Sequence, residues 1–299
     1  MKLDFDAWMN AELASVEDAL GAWVPGTAPA GLGDAMRYGV LDGGKRLRPL
    51  LVLAACEAVG GDRHAALRAA VAVELIHAYS LVHDDMPCMD NDILRRGKPT
   101  VHVVFGEAQA MLAGDAMQCL AFEILTPQET DDGGSMPAAL QARLVALLAR
   151  ASGHDGMAGG QAIDLASIGQ PLDEASLRDM HRRKTGALLQ ASVMMGAACG
   201  SPSARSLAAL SDYGAAIGLA FQVVDDILDV TQDAQTLGKT AGKDEENNKP
   251  TYVSILGLDA ARAHAHELCE HAHAALRRSG LDDAARLGLL ADRIVSRES

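Results

Sequence analysis

The stretch that decides the fold is VAVELIHAYSLVHDDMPCMD, residues 71–90. The apolar residues before its acidic pair are spaced three and four apart, which predicts a helix. Pro87 has no amide hydrogen to donate, so this helix should end before it. We therefore expect Asp84 and Asp85 at the end of the helix, with Asp90 brought back toward them by an irregular turn.

A second acidic cluster follows another apolar stretch. Asp225, Asp226 and Asp229 come directly after Ile217–Val224. Asp225 and Asp229 are four residues apart, so they share one helical face. Like charges about 4 Å apart repel by about 4 kcal/mol at an effective dielectric near 20, so a buried group needs cations. Carboxylate oxygens suit Mg²⁺. The residues alone leave two interpretations, a magnesium site and two exposed helix ends.

The same apolar spacing extends over most of the chain and predicts an all-α protein. Apolar residues make up 49% and aromatics 3%, which disfavours a β sandwich or barrel. The Gly- and Pro-rich breaks are short, so we expect one domain over residues 1–299 with ten or more helices. The predicted helices are Leu47–Val59, Ala65–His83, Glu107–Leu125, Ala138–Ser152, Glu174–Cys199, Ser203–Val230 and Ala260–Arg278.

Charge and composition exclude several classes of protein. The 40 acidic and 26 basic side chains give a net charge of −14, which excludes a general nucleic-acid binder. The N-terminus lacks the features of a signal peptide, and no apolar run approaches the roughly 18 residues of a spanning helix. Five widely spaced cysteines without a CxxC motif indicate reduced, mostly buried thiols. We expect a soluble, cytoplasmic protein.

Four histidines near the C-terminus resemble a metal-binding group. They are His264, His266, His271 and His273. The HxH spacing places the members of each pair on different helical faces. We therefore interpret this segment as a solvated helix.

Clustered cations beside the acids predict phosphate binding. Arginine binds phosphate through two N–H groups, and lysine contributes a point charge. The alternative is that these cations pair with nearby acids at the surface, which contributes little energy. Acids for Mg²⁺ and cations on apolar helices together point to a lipid-like diphosphate. The clusters are Lys45–Arg48, Arg95–Lys98, Arg182–Lys184 and Lys239–Lys243, with Lys249.

In these motifs the chain resembles the polyprenyl (isoprenyl) diphosphate synthases over nearly its whole length, most closely the bacterial-type farnesyl diphosphate synthases. Several independent motifs in one order are more specific than any one of them. The resemblance implies an isoprenoid synthase fold, with helices around a deep central cavity, and a homodimer. The segments that carry it are Gly43–Pro49, His77–Arg96, Gly160–Leu165, Lys184–Gly186, Phe221–Asp229 and Gly238–Asp244.

The resemblance also implies a reaction and its magnesium ions. Dimethylallyl or geranyl diphosphate would ionise to an allylic cation and condense head to tail with isopentenyl diphosphate. The products would be farnesyl diphosphate and pyrophosphate. Three Mg²⁺ would hold the allylic diphosphate, with the segment 238–249 closing over it. The implied ligands of the Mg²⁺ ions are Asp84, Asp85, Asp90, Asp225, Asp226 and Asp229.

Further roles carry over residue by residue. Arg95, Lys184 and Lys239 match residues that contact the allylic diphosphate. The side chain of Gln222 and the backbone oxygens near Lys184 and Thr185 match groups that face the cation, and Asp164 is expected to pair with Lys184. Ile93 stands where the family often has Asp, which we interpret as a tuning change. The implied isopentenyl diphosphate site comprises Lys45, Arg48, His77 and Arg96.

Other functions remain open at this point. A geranylgeranyl diphosphate synthase differs only in product length. A terpene cyclase does not need the isopentenyl site, so Gly43–Arg48 and the intact second acidic cluster argue against it. An inactive partner subunit or a divalent-ion binder is the non-enzymatic alternative, and the intact acids argue against a degenerate subunit.

Product length is predicted from one helical turn. With a diphosphate at Asp84, the tail runs back along a helix that rises about 5.4 Å per turn, close to one extended isoprene unit. Tyr79 and Ser80 then form the floor, and the resemblance associates an aromatic residue there with short products. The alternative is that Tyr79 only packs between helices.

We expect Tyr79→Ala to lengthen the product from C15 toward C20 or beyond, because the smaller side chain lets the growing tail pass. Chromatography of the products formed from labelled isopentenyl diphosphate measures this. Unchanged C15 output would show that Tyr79 is not the floor.

Overall fold

The computed structural model describes residues 2–41, 43–128, 136–169, 172–231 and 251–296. These residues are mostly helical, which confirms the all-α prediction. The helices are α1 (Lys2–Trp23), α2 (Leu32–Val40), α3 (Leu47–Ala58), α4 (Arg63–Asp84), α5 (Val101–Phe105), α6 (Glu107–Ile124), α7 (Ala138–Ser152), α8 (Met157–Ala166), α9 (Glu174–His181), α10 (Ala187–Ala198), α11 (Ala204–Thr231), α12 (Tyr252–Leu256), α13 (Leu258–Arg278) and α14 (Ala285–Val295).

Three short elements complete the described structure. A 3₁₀ turn spans Pro29–Gly31, and a π-helical turn spans Arg182–Gly186 between α9 and α10. Strands β1 (Leu94–Arg95) and β2 (Lys98–Pro99) form an antiparallel hairpin. The π-turn contains Lys184 and the hairpin contains Arg95, two of the residues assigned above to the allylic diphosphate.

Two apolar cores share helices α3 and α10. One core takes side chains from α1, α2, α4, α6 and α7, and the other from α11, α13 and α14. Helix α10 packs against α3, α4, α7 and α11. Helix α10 therefore carries apolar side chains on all of its faces. Leu188, Leu189, Val193 and Met195 are examples, and all four are buried.

Helix α4 begins and ends where the local sequence requires. The Asp62 side chain caps it by accepting from the His64 and Ala65 amides. Most of its residues between Ala65 and Val82 are buried. The acidic pair thus follows an apolar helix that lies inside the protein.

The structure differs from the predicted elements at three places. Glu174–Cys199 is not one α-helix, because the π-turn Arg182–Gly186 interrupts it. The hairpin went unpredicted since two-residue strands show no alternation. Helices α1, α2, α5, α8, α12 and α14 were not predicted either. The Asp173 side chain caps α9 by accepting from the Ser176 amide.

Two helices are long and apolar enough by composition to cross a membrane. They are α4 and α11, and 72% and 50% of their apolar windows are buried inside the protein. A count of uninterrupted apolar residues overlooks them, because single polar residues divide each window. Both contribute to the cores described above, which is the behaviour of interior helices.

The cysteines are free thiols. Cys56, Cys199 and Cys269 are buried, whereas Cys88 and Cys119 are exposed. Lys239 and the segment 238–249, which were assigned roles above, lie outside the described residues.

Candidate active site

Helix α4 ends at the first acidic cluster. Asp84 is its last residue, and the Asp85 amide still donates to the Leu81 carbonyl. Pro87 prevents continuation of the helix. The chain then folds back, so that the Asp90 amide donates to the Asp84 carbonyl over 2.8 Å. The expected helix end and the expected return of Asp90 are both present.

The second carboxylate of this cluster is held by an arginine from the hairpin. Asp85 is only 3% exposed. Arg95 Nε lies 2.8 Å from each of its oxygens, and Arg95 Nη2 donates to Oδ1 over 2.5 Å. Burial raises the pKa of Asp85, and the Arg95 contacts oppose that shift. Two groups expected to face ligand are therefore paired with each other.

Asp84 has a different environment. Burial raises its pKa to about 6, with Lys184 and Arg95 opposing and the negative charges of Asp90 and Asp85 adding to the shift. A carboxyl with this pKa is mostly ionised at pH 7, although its surroundings disfavour the charge. A cation beside it would lower the pKa and relieve the cost.

The second acidic cluster lies on α11 and anchors a chain of hydrogen bonds. Asp226 is 3% exposed. It accepts from Gln222 Nε2 over 2.9 Å and from the Tyr252 amide over 2.8 Å. Gln222 Oε1 in turn accepts from Thr185 Oγ1 over 3.0 Å. The π-turn, helix α11 and the start of α12 are thereby joined through one carboxylate.

The two clusters share an asymmetry that the sequence does not reveal. The second member of each adjacent pair, Asp85 or Asp226, is buried and bonded to protein groups. The first member, Asp84 or Asp225, is only partly buried. The remaining acids of the clusters, Asp90 and Asp229, are also partly buried.

Lys184 is positioned by the π-turn and by helix α8. Its Nζ donates to Asp164 Oδ2 over 2.6 Å, the pairing expected from the sequence. A Cβ on Gly160 would lie 2.1 Å from the Lys184 nitrogen. Only glycine therefore lets α8 approach the π-turn closely enough for this ion pair. A π-turn also interrupts the regular hydrogen-bond ladder beside Thr185, as is frequent at functional sites.

Arg48 and His77 lie near each other on α3 and α4. Arg48 is buried, and within the described ranges its Nε has no hydrogen-bond partner. Glu74 and Asp225 lie within electrostatic range of it. Burial, followed by the charge of Arg48, lowers the pKa of His77 well below its usual range. His77 is therefore neutral at pH 7, and Arg48 supplies the positive charge.

Some of these groups line one cavity of about 370 Å³. Its polar residues include Arg48, Asp84 and Lys184, and Tyr79 lies on its wall. Arg48, on the cavity lining, is also within electrostatic range of Asp225 in the second acidic cluster. The other lining residues are His77, Ser80, Leu81, His83, Met89, Met157, Ala158, Gln161, Ala162, Leu165 and Thr185.

Tyr79 is fixed from two sides. Gln118 Nε2 on α6 donates to the Tyr79 hydroxyl over 3.2 Å. The His83 ring packs edge to face on the Tyr79 ring, with 5.7 Å between centroids. His83 Nε2 lies 3.0 Å from the Met111 carbonyl oxygen, also on α6. Tyr79 thus lines the cavity, and α6 supports it from behind. That it forms the floor for the prenyl tail stays a prediction.

Two of the expected isopentenyl-site cations lie apart from this cavity. Lys45 is exposed and lines a neighbouring cavity of about 450 Å³ that Arg293 of α14 also lines. Arg96 donates to the Gly43 carbonyl. Its guanidinium nitrogens lie 2.8–2.9 Å from where a Gly44 Cβ would stand, so the glycine makes room for the arginine.

Arg46 and Ile93, near these motifs, make contacts within the protein that indicate structural roles. Arg46, between Lys45 and Arg48, is buried and paired with Glu17 and Glu74 at 2.7 Å each. Ile93 is 63% exposed. It contributes a backbone carbonyl to the Thr100 amide rather than any side-chain group to the acidic cluster.

Gln161 is a candidate ligand-binding residue that sequence reasoning missed. Its buried amide lines the cavity, and neither its Oε1 nor its Nε2 has a partner in the part of the chain that the structure describes. An unpaired buried amide is costly, so a polar ligand there would satisfy it. The only signal was its place in the Gly160–Leu165 motif.

The acidic groups suit magnesium. The donors are carboxylates, and burial together with neighbouring acids makes the Asp84 charge unfavourable without a cation. Hard oxygen donors around a diphosphate are what Mg²⁺ prefers. The described cations alone do not replace it, because Arg95 and Lys184 are already paired with Asp85 and Asp164.

Comparison with known proteins decides the family. Residues 29–283 match the family model described as polyprenyl synthetase. The chain belongs to this family. It is 43% identical over 298 residues to farnesyl diphosphate synthase of Geobacillus stearothermophilus, covering 99% of each chain.

Two further relatives bear on product and ligands. The chain is 46% identical to heterodimeric geranylgeranyl pyrophosphate synthase large subunit 1, chloroplastic, of Arabidopsis thaliana, covering 99% of this chain and 80% of the relative. A Helicobacter pylori geranyltransferase, solved with magnesium and isoprenyl diphosphate, has a TM-score of 0.83 and 32% identity over 97% of this chain and 96% of its own. The polyprenyl synthetase chain is thus a short-chain prenyltransferase with the isoprenoid synthase fold.

The raised pKa of Asp84 predicts a stability effect in the absence of metal. The unfolded carboxyl ionises near 3.8, whereas the folded one holds its proton up to about 6. The folded state therefore binds more protons in this window, and stability falls as pH rises through it. Asp84→Asn removes the charge. In EDTA at pH 7.5, urea denaturation should therefore give this variant a free energy of unfolding about 2–3 kcal/mol higher than that of the wild type.

The pH dependence and a surface variant provide the controls. The gain from Asp84→Asn should shrink to about half at pH 5.0, where the folded wild-type carboxyl is mostly protonated. Asp259→Asn, at a fully exposed aspartate, should change little at either pH. An Asp84→Asn variant no more stable than wild type at pH 7.5 would contradict the environment assigned to Asp84.

Proposed function

We propose that this prenyltransferase condenses dimethylallyl or geranyl diphosphate with isopentenyl diphosphate and releases farnesyl diphosphate and pyrophosphate. The observation that carries the proposal is the single cavity in which Asp84, Lys184 and Arg48 lie at polar positions and Tyr79 lies on the wall. A diphosphate requires the charged side chains of this cavity, and a prenyl tail requires the wall on which Tyr79 lies. The Helicobacter pylori neighbour, solved with magnesium and isoprenyl diphosphate, supports this ligand class.

The allylic diphosphate would bind between the acidic clusters. Asp84, Asp90, Asp225 and Asp229 are partly buried, which suits direct metal ligation. Asp85 and Asp226 complete the proposed set, and their protein contacts suit positioning of Arg95 and Gln222. Three Mg²⁺ are the proposed stoichiometry. When bound, the ions supply neutralisation of the charge that develops on the departing diphosphate.

The chain's own groups then act on the two charges created by carbon–oxygen cleavage. Lys184 and Arg95 bind the oxygens of the leaving diphosphate, together with Lys239 from outside the described residues. Gln222 Oε1, oriented by the Thr185 hydroxyl and by Asp226, faces the allylic cation. Because these dipoles are oriented before reaction, they stabilise the transition state without reorganising.

Isopentenyl diphosphate would bind beside Arg48. This guanidinium is buried and has an unpaired Nε among the described groups. Neutral His77 contributes an N–H without competing for the negative charge. Lys45 and Arg96 are the outer cations of the same proposed site. The double bond of isopentenyl diphosphate attacks the cation, and the released pyrophosphate takes the proton.

Product length depends on how much of the prenyl tail the cavity admits. Tyr79 and Ser80 lie one turn or more before Asp84 and line the cavity, which favours a C15 product. The Geobacillus relative is a farnesyl diphosphate synthase. The Arabidopsis relative is named a geranylgeranyl pyrophosphate synthase, so the longer geranylgeranyl product is the alternative. The cavity floor decides between them, because the diphosphate-binding groups serve both reactions.

We also propose that the active form is a homodimer of one-domain chains in the cytoplasm. Helices α5 and α6 expose four large apolar side chains, which a second copy of the chain would cover. These are Val103, Val104, Met111 and Leu112, each 39–52% exposed. The Arabidopsis relative is itself named as a subunit of a heterodimer.

The proposed reaction is tested by incubating the protein with Mg²⁺, isopentenyl diphosphate and each allylic primer. We expect condensation with dimethylallyl and geranyl diphosphate and a C15 product. Asp84→Ala and Asp225→Ala should each lower kcat about 100- to 1000-fold, since each removes a transition-state contact. Far-UV circular dichroism checks that the fold persists.

A matched control lies on the same helix as Asp225. Asp212 is exposed on α11 and contacts Arg278, so Asp212→Ala should retain wild-type turnover. Absence of condensation with every primer would refute the enzyme assignment and favour a partner subunit or ion binder. A C20 product would identify the geranylgeranyl alternative instead.

The dimer is tested separately. Val104→Glu combined with Leu112→Glu places two charges on the α5–α6 face and should give a monomer in sedimentation experiments, where wild type sediments at twice the chain mass. Ile255→Glu, at an exposed apolar residue on α12, should remain dimeric. A wild-type monomer, or a double variant that still dimerises, would show that another surface is used or none.

A further inference from the structure

Helices α13 and α14 bring three metal-binding side chains together, far along the sequence from the acidic clusters. Cys269 and His273 are one turn apart on α13, so they share a face. Asp292 on α14 faces them. Cys269 Sγ lies 3.6 Å from Asp292 Oδ1, and His273 Nε2 lies 2.6 Å from the same oxygen. All three ligand atoms lie within 4.8 Å of one another.

We propose that Cys269, His273 and Asp292 form a zinc site that ties α14 to α13, with water as the fourth ligand. No step of the proposed reaction uses these residues. The site also modifies the interpretation of the four histidines. His266 and His271 are exposed, as expected of a solvated helix, but His273 is directed toward α14.

The spacing is close to that of a tetrahedral site. Zinc binds thiolate sulfur at about 2.3 Å and imidazole nitrogen or carboxylate oxygen at about 2.0–2.2 Å. Ligand atoms around it are therefore roughly 3.3–3.6 Å apart. The Cys269–Asp292 separation already matches, and the His273–Asp292 hydrogen bond would open by roughly 0.7 Å to admit the ion.

The surroundings favour a cation over an empty cluster. Cys269 is buried, and the Asp292 carboxylate lies 3.6 Å from its sulfur. This negative charge attracts a divalent ion to the thiol. Binding forms the Zn–S, Zn–N and Zn–O bonds and expels the thiol proton to solvent. Thiolate and carboxylate then balance the two positive charges.

The donor set selects zinc rather than the magnesium of the active site. Thiolate and imidazole are ligands for zinc and related transition metals, whereas Mg²⁺ prefers oxygen. The ion would reinforce the packing of α14, which rests on α3, α11 and α13. We assign the ion a structural role, because it would join two helices and no substrate-binding group lies among its ligands.

The test uses full-length protein carrying Cys88→Ser and Cys119→Ser, because those two exposed thiols would also bind zinc. Zinc is titrated against a chromophoric chelator in excess Mg²⁺, which occupies the carboxylate clusters. We expect one tightly bound Zn²⁺ per chain. Cys269→Ser, His273→Gln and Asp292→Asn, each in that background, should weaken it roughly 10- to 100-fold or more.

A control variant and a spectroscopic readout separate ligation from folding. His271→Gln, at an exposed histidine of the same helix, should bind as the parent does. Co²⁺ in place of zinc should give a thiolate charge-transfer band that Cys269→Ser abolishes. Should Cys269→Ser unfold, Asp292→Asn at the exposed aspartate decides the matter. Zinc affinity unchanged in Asp292→Asn, or no zinc binding by the parent, overturns the site.

Discussion

Burial of negative charge beside the substrate cavity is the constraint on which the rest of this structure depends. Asp84 ends an apolar helix, and its surroundings raise its pKa to about 6. An ionised group there is tolerable only with positive charge nearby, and the protein supplies Lys184 and Arg95 within electrostatic range. The apolar helices thus create the need for cations, and the same need makes the site suitable for diphosphate and magnesium.

The surrounding polar side chains are arranged in pairs that hold one another in place. Arg95 is fixed by Asp85, Lys184 by Asp164, and the Gln222 amide by Thr185 and Asp226. Apart from the Gln222–Asp226 contact within α11, each pair spans two different elements, such as the hairpin and the end of α4, or the π-turn and α8. The geometry of the site is therefore set by the packing of these elements rather than by any one motif.

Much of this arrangement could be predicted from local sequence. Pro87 ends α4 because it lacks an amide hydrogen, so the position of Asp84 and Asp85 was predictable. The π-turn at Lys184 was not, since one extra residue in a helical turn changes neither composition nor overall periodicity. Different burial of Asp84 and Asp85 depends on Arg95 from the hairpin. The neighbourhood of Cys269 and Asp292 depends on contact between two helices, which spacing along the chain does not encode.

The close approach at Gly160 has a consequence for how this protein can change over time. No side chain fits between α8 and the Lys184 backbone. Replacing this glycine by any other amino acid adds at least a methyl group, which would separate the two elements and with them Lys184 from Asp164. A substitution at this position therefore cannot be neutral, whereas solvent-facing positions around it have room for other side chains. The absence of a side chain at this one position thereby limits how the pocket around Lys184 can evolve.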